Sequence, residues 1–121
     1  MNRVETLNKI LRGLTSSSPD IEACAVISDD GLMIASSLPN HIDEARVAGM
    51  SATLSMLGAR AARDLERGDV QEVLVRGNKG YVVMMNASSG TLLLVLTNEQ
   101  AKLGLVFLDM RNTAAELRKV L

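Results

Sequence analysis

Residues 70–97 contain three short apolar runs, and the turns between them are too short to join anything except antiparallel neighbours. The runs cover residues 70–76, 81–87 and 91–97, and each turn between them contains glycine. Parallel strands would need a crossover of a dozen or more residues, so this segment predicts an antiparallel meander. The third run is the nearly continuous Leu-Leu-Leu-Val-Leu, which indicates a central strand covered on both faces.

The first 36 residues predict a helix followed by a β-hairpin. Apolar residues recur at helical spacing at the start of the chain: Val4, Leu7, Leu11 and Leu14. We expect this helix to end near Gly13 and residues 15–19 to form a loop. Two apolar runs, 21–28 and 32–36, then flank Asp-Asp-Gly at 29–31. Since glycine adopts the positive φ that a tight reversal needs, this pattern predicts a hairpin.

Two further helices complete the predicted order α-β-β-α-β-β-β-α. The central helix is expected over residues 42–66, which is roughly 37 Å at the rise of an α-helix. The last helix is expected from about residue 102 to residue 120, with an apolar side formed by Leu103, Val106, Phe107, Met110, Ala114, Leu117 and Leu121. The predicted fold class is α+β: five antiparallel strands with helices on both faces of the sheet, in three layers.

Placing the central helix at 100° per residue separates three faces. The large apolar face contains Val47, Met50, Leu54, Leu57, Ala61 and Leu65. We expect this face to contact the chain's own sheet.

The second face consists entirely of small residues. The small-residue face contains Ala48, Ser51, Ala52, Ser55, Gly58, Ala59 and Ala62. Small side chains allow another helix to approach closely, so we expect this face to form a two-fold dimer contact. The alternative is an alanine-rich helix selected for helix propensity, but serine and glycine are poor choices for that purpose.

The third face, the cationic face, carries exposed polar groups. It contains Arg46, Gly49, Thr53, Met56, Arg60 and Arg63, with Asp64 at its edge. Taken by itself, this pattern is typical of a solvated helix surface. A binding surface is the alternative interpretation.

No group of residues has the spacing of a catalytic or metal-binding site. His41 is the single histidine and has no accompanying ligands, and Cys24 lies among small apolar residues and predicts a buried thiol. The adjacent Asp29 and Asp30 suit a turn better than acid–base catalysis. No glycine-rich phosphate-binding motif occurs. We therefore expect no enzyme activity, no metal and no cofactor.

Composition and charge exclude further classes of function. The net charge is −1, with one tyrosine and one phenylalanine, so a nucleic-acid interface lacks both basic charge and stacking groups. The apolar stretches are too short to cross a bilayer, and the first residues lack the apolar core of a signal peptide. A single cysteine fits a reducing compartment. We expect a cytoplasmic protein without membrane insertion.

Several stretches, in order, resemble the Roadblock/dynein light chain domains, including the bacterial and archaeal members linked to gliding-motility GTPases. The first hairpin, the central helix with its small residues, the third and fourth strands, and the last strand with the start of the last helix are all similar. These stretches are residues 25–36, 43–64, 72–77, 80–84, 91–97 and 101–106. No stretch is specific alone, but the ordered set covers nearly the whole chain.

The resemblance implies one Roadblock-like domain over residues 1–121, with a profilin-like sheet that has the central helix on one face and the terminal helices on the other. It also implies homodimers that pair the central helices and the third strands into a ten-stranded sheet. Strand 70–76 lacks proline and lysine, so an unpaired edge would invite aggregation. We expect it to pair with its copy near Val73 and Leu74, beside the small-residue face.

The same resemblance implies a Ras-like small GTPase as partner, with no catalytic residues in this chain. The expected function is a non-catalytic, homodimeric regulator that activates or recruits the GTPase. The expected contact residues are Arg46, Thr53, Met56, Arg60 and Arg63. The alternative is a structural adaptor similar to dynein light chains, without effect on GTP turnover. A metabolite sensor is disfavoured, because convergent polar and aromatic residues are scarce.

Overall fold

A computed structural model describes residues 2–121, and its elements follow the predicted order. They are α1 (Arg3–Ser17), β1 (Ile21–Ser28), β2 (Met33–Ser37), α2 (Glu44–Asp64), β3 (Val73–Gly77), β4 (Gly80–Ser88), β5 (Thr91–Thr97) and α3 (Leu103–Arg118). The α+β fold class predicted from the sequence is confirmed.

The five strands form one antiparallel sheet in the order β2-β1-β5-β4-β3. The last strand in the chain, β5, therefore lies in the middle, and residues 91–95 are all buried. This confirms the central position predicted from its continuous apolar run. At one edge of the sheet lies β3, whose residues 74–77 are exposed.

The sheet separates two apolar layers. Val26 packs with α1 and α3 on one face, whereas its neighbours Ala25 and Ile27 pack beneath α2 on the other. This alternation follows from the two-residue period of a strand. The predicted layer arrangement is confirmed, with the central helix alone on its face.

The first helix is longer than predicted. It continues through Gly13 to Ser17, where the sequence predicts a loop. Hydroxyl groups near its end donate back to carbonyls one turn earlier: Thr15 and Ser16 to Arg12 at 3.0 and 2.8 Å, and Ser17 to Leu14 at 2.7 Å. Such bonds accommodate serine and threonine within a helix.

Two other elements are shorter than predicted. The central helix spans 21 residues. It begins at Glu44, because the Asp43 carboxylate caps its first turn by accepting from the N–H groups of Ala45 and Arg46 at 3.0 and 3.3 Å. Beyond its end, Glu66 has a left-handed φ of 60°. The edge strand begins at Val73 and not at residue 70. Residues 70–72, Val-Gln-Glu, lie outside the sheet.

Individual residues of interest lie as follows. His41 is exposed in the turn before α2. Cys24 is completely buried in β1, and burial raises the pKa of its thiol to about 12. Within residues 2–121, no helix combines the length and apolar character needed to span a membrane.

Candidate functional site

The small-residue face of α2 lies against the chain's own sheet. Ala48 is fully buried, Ser51 is 4% exposed, and the other members are half-buried. Gly58 sits so close to β3 that a Cβ atom there would be 2.5 Å from Val73 Cγ2. The prediction that this face is free to receive a second helix is therefore wrong for Ala48, Ser51 and Gly58, and for the other four members it stays a prediction. Its small residues instead let α2 approach a sheet surface that already carries large side chains.

Those large side chains belong to the strands below α2. Met84, Leu92 and Leu94 are nearly fully buried in the layer between the sheet and α2. Because interiors are close-packed, bulky residues on the sheet require small ones on the helix above it. The sheet therefore carries the large side chains of this layer, and α2 carries the small ones.

The large apolar face of α2 points to solvent for most of its length. Met50, Leu57 and Leu65 are 55, 52 and 69% exposed, whereas Val47 and Leu54 are half-buried against the sheet. The prediction that this face packs on the chain's own sheet is therefore wrong for most of its residues. A helix with large apolar side chains in water is typical of an interaction site.

This exposed apolar face adjoins the exposed edge of the sheet. Val73 contacts α2 at Gly58 and shares an apolar cluster with Leu54. The next residues of the strand, Leu74 and Val75, are 43 and 41% exposed. Helix and strand edge together form one candidate site, which we call the α2–β3 surface.

The sequence offered one signal for this surface. The buried strands are rich in methionine and leucine, so the helix above them must be small where it meets them. The large apolar face of α2 is directed outward as a consequence.

The cationic face of α2 is exposed as predicted. Its expected contact residues, Arg46, Thr53, Met56, Arg60 and Arg63, are all exposed. Arg60 pairs with Asp64 at 3.4 Å between two exposed side chains, an arrangement that contributes little stability. Arg46 and Arg63 are 17 positions apart, roughly 25 Å along the helix. The exposed residues between them form an elongated strip, which we call the cationic strip. Its length suits a macromolecule better than a small ligand.

The described residues, 2–121, contain no group of three histidine, cysteine, aspartate or glutamate side chains able to hold a metal ion. The structure has three exposed surfaces close together: the large apolar face and the cationic strip of α2, and the edge of β3. Such an arrangement supports binding to other proteins.

Comparison with known proteins agrees with this architecture. The family model of the Roadblock/LC7 domain matches residues 7–97. An uncharacterized protein of Methanocaldococcus jannaschii is 31% identical over 98 residues, covering 81% of this chain and 85% of the relative.

Solved structures share the fold. A Roadblock/LC7 domain from Streptomyces avermitilis superposes with a TM-score of 0.87 at 24% identity, covering 93% of this chain and 94% of that one. MglB from Myxococcus xanthus superposes with a TM-score of 0.86 at 22% identity, covering 95 and 94%. At these identities the likeness shows a common fold.

Proposed function

Because this chain belongs to the Roadblock/LC7 domain family, we propose that it is a non-catalytic regulatory module, one domain over residues 1–121, that acts as a homodimer and binds a Ras-like small GTPase. The observation that carries this proposal is the α2–β3 surface. A regulator without catalytic groups acts through its contacts, and this surface and the cationic strip beside it supply them. A cytoplasmic location accords with such a partner.

The homodimer is supported by the exposed apolar side chains and the open strand edge of the α2–β3 surface. A two-fold axis beside β3 would pair this strand antiparallel with its copy near Val73 and Leu74, satisfying an otherwise open edge. The same axis would bring the large apolar faces of the two α2 helices together. Met50, Leu57 and Leu65 would then leave water, and each such side chain contributes about 1.5–3 kcal/mol when fully buried.

The dimer contact proposed here differs from the one expected from the sequence in one respect. Ala48, Ser51 and Gly58 of the small-residue face meet the sheet, so we infer an indirect role for them, which is to set the distance and rotation of α2. The large apolar face is consequently presented at the sheet edge.

GTPase binding is supported by the cationic strip. In a two-fold dimer this strip occurs twice, on neighbouring helices. Positive charge there would attract an acidic partner surface, raising the association rate and making binding sensitive to salt. If the module alters GTP turnover, it would do so by favouring one arrangement of the partner's mobile switch segments, which is a population shift.

One experiment tests both parts of the proposal. The purified chain is examined by sedimentation at micromolar concentration and then titrated calorimetrically with each Ras-like GTPase of its host, loaded with GDP or with a non-hydrolysable GTP analogue. We expect the chain to be a dimer. We also expect it to bind one of the host's Ras-like GTPases, and to bind that GTPase more tightly in one nucleotide state than in the other. A monomer would refute the dimer, and absence of binding would refute the GTPase partner. A separate assay of phosphate release from GTP then distinguishes the roles, and binding without any change in hydrolysis would assign the adaptor role.

A further inference from the structure

The edge strand β3 is shorter than its neighbour, and this leaves part of β4 open. The first pair of the β3–β4 ladder is Val73 with Met84, whereas β4 continues to Ser88. Within residues 2–121, no strand pairs with the last four residues of β4 on that side. Between this open edge and residues 69–72 lies a cleft of about 610 Å³.

Because the edge is open, helices from opposite faces of the sheet both reach this cleft. Arg63 of α2 lines it from one side, and Arg111 and Arg118 of α3 line it from the other. Arg111, Ala114 and Arg118 follow the three- and four-residue spacing that places side chains on one side of a helix. Met85 and Ala114, both nearly buried, add apolar surface to the cleft.

The three arginines are not neutralised within the described part of the chain. The single ion pair among residues 2–121 is that between Arg60 and Asp64, so no carboxylate lies within 4.0 Å of Arg63, Arg111 or Arg118. Asp69 and Glu72 line the cleft as well, but the guanidinium groups outnumber them.

One of these arginines is held at the strand edge. Arg118 Nη1 donates to the carbonyl oxygen of Ala87, at 3.2 Å. Within residues 2–121, the Arg118 side chain makes no other hydrogen bond, and the Arg111 side chain makes none. A planar guanidinium so placed matches a carboxylate through two parallel hydrogen bonds.

We propose that this cleft binds an extended acidic segment of a partner protein, which adds as a strand to the open edge of β4. Main-chain hydrogen bonds to an open edge provide affinity, and side-chain pockets provide selectivity. Side chains of a strand alternate between its two faces, so carboxylates at every second position would face α3 and meet Arg111 and Arg118, beside Met85 and Ala114. The intervening apolar side chains would face α2, where Ala59 and Arg63 line the cleft.

This inference does not depend on the proposed GTPase contact. Arg111 and Arg118 lie on α3, across the sheet from the cationic strip. Arg63 is the one residue that both proposals share, and the test therefore relies on Arg111.

The test is an NMR titration of the ¹⁵N-labelled full chain with a blocked octapeptide of alternating glutamate and valine. A second octapeptide of alternating lysine and valine provides the matched comparison. We expect the glutamate peptide to shift the Asn86 amide and the Arg111 and Arg118 Nε–H signals, and the lysine peptide to leave them unchanged. Arg111→Glu should weaken binding at least about tenfold, since it removes one charge-assisted contact and adds repulsion.

Arg111→Glu is preferred over a change at Arg118, because Arg118 also supports the Ala87 carbonyl. Arg12→Glu on α1 makes the same change in net charge at an exposed position outside the cleft, and it should bind like the wild type. Three results would each overturn the proposal: equal binding of the lysine peptide, unchanged affinity in Arg111→Glu, or the same shifts from inorganic phosphate alone at equal or lower concentration. The last result would assign a small-anion site in place of strand docking.

Discussion

Gly58 of α2 lies directly over Val73 of β3, at a separation that leaves no room for a Cβ atom at position 58 without displacing the Val73 methyl group. This contact fixes the height and rotation of α2 above the sheet. It therefore also determines which side of the helix faces away from the sheet.

A pair of glycine substitutions on the same helix tests that contact. Gly49→Ala meets nothing within 4 Å and should stabilise the protein by about 0.5–1 kcal/mol, the gain in helix propensity. Gly58→Ala has the same propensity gain but crowds Val73, so we expect a net loss of about 1 kcal/mol. Urea unfolding at equal protein concentration measures both. Equal stabilisation by the two changes would contradict the tight contact.

The proposed dimer predicts opposite outcomes for two adjacent residues. Leu57→Arg places a charge in the α2–β3 surface, where an unpaired buried charge costs about 3–5 kcal/mol, and should yield monomers at micromolar concentration. Met56→Arg introduces the same side chain one position along the helix, on the cationic face, and should remain dimeric. Sedimentation velocity distinguishes the two variants. A dimeric Leu57→Arg protein would move the interface elsewhere.

Hydrogen exchange provides an independent test of the strand pairing. If β3 pairs with its copy, amides along residues 73–77 exchange slowly in the wild type, because both edges of the strand are hydrogen-bonded. In Leu57→Arg, alternate amides of β3 should lose protection while β5 keeps it. Rapid exchange at those alternate positions in an intact dimer would exclude β3 pairing.

Charge reversal on the cationic strip tests the GTPase contact. Arg60→Glu combined with Arg63→Glu should lower affinity for the cognate GTPase by about tenfold or more at low salt, with a smaller effect at high salt, because screening weakens exposed charges. Arg3→Glu with Arg12→Glu changes the net charge equally on α1 and should bind normally. Calorimetric titration of both double variants gives the comparison. Equal affinities would place the contact on another surface.

The buried thiol predicts a dependence of stability on alkaline pH. Burial raises the Cys24 pKa from 9.0 to about 12, so above pH 9 the unfolded chain loses the thiol proton before the folded chain does. Fewer protons are then bound in the unfolded state, and stability falls as the pH rises from about 9 to about 12. Cys24→Ala should have a shallower decline in urea midpoint over this range. Parallel declines would show that Cys24 contributes nothing.

Much of the fold could be predicted from local pattern. The meander at residues 70–97 and the hairpin around Gly31 follow from glycine turns and strand periodicity. The continuous apolar run of β5 indicates its central place, because only a strand covered on both faces tolerates it. The ends of the elements could be predicted less well, since the sequence places the start of the edge strand at residue 70 whereas β3 begins at Val73.

The orientation of α2 could not be predicted from its own sequence. A helical projection separates the faces but does not say which one meets the sheet. That choice depends on the volumes of Met84, Leu92 and Leu94 beneath it, which are distant in sequence. The exposure of the cationic face could be predicted, since charged groups avoid burial whichever way the helix is oriented. The cleft at β4 also escaped prediction, because it arises from where β3 starts.

The central position of β5 also constrains the order in which the chain can mature during synthesis. Ser28, the last residue of β1, pairs with Thr91, so about 63 further residues must emerge before that ladder can close. At the 5–20 residues per second of translation, this is a delay of about 3 to 13 seconds. Throughout that interval the β1–β2 hairpin lacks its neighbour β5, and α1 lacks its contact with α3. A nascent chain with this topology cannot complete its sheet until late in synthesis. Pairing between strands so distant in sequence is also intrinsically slow.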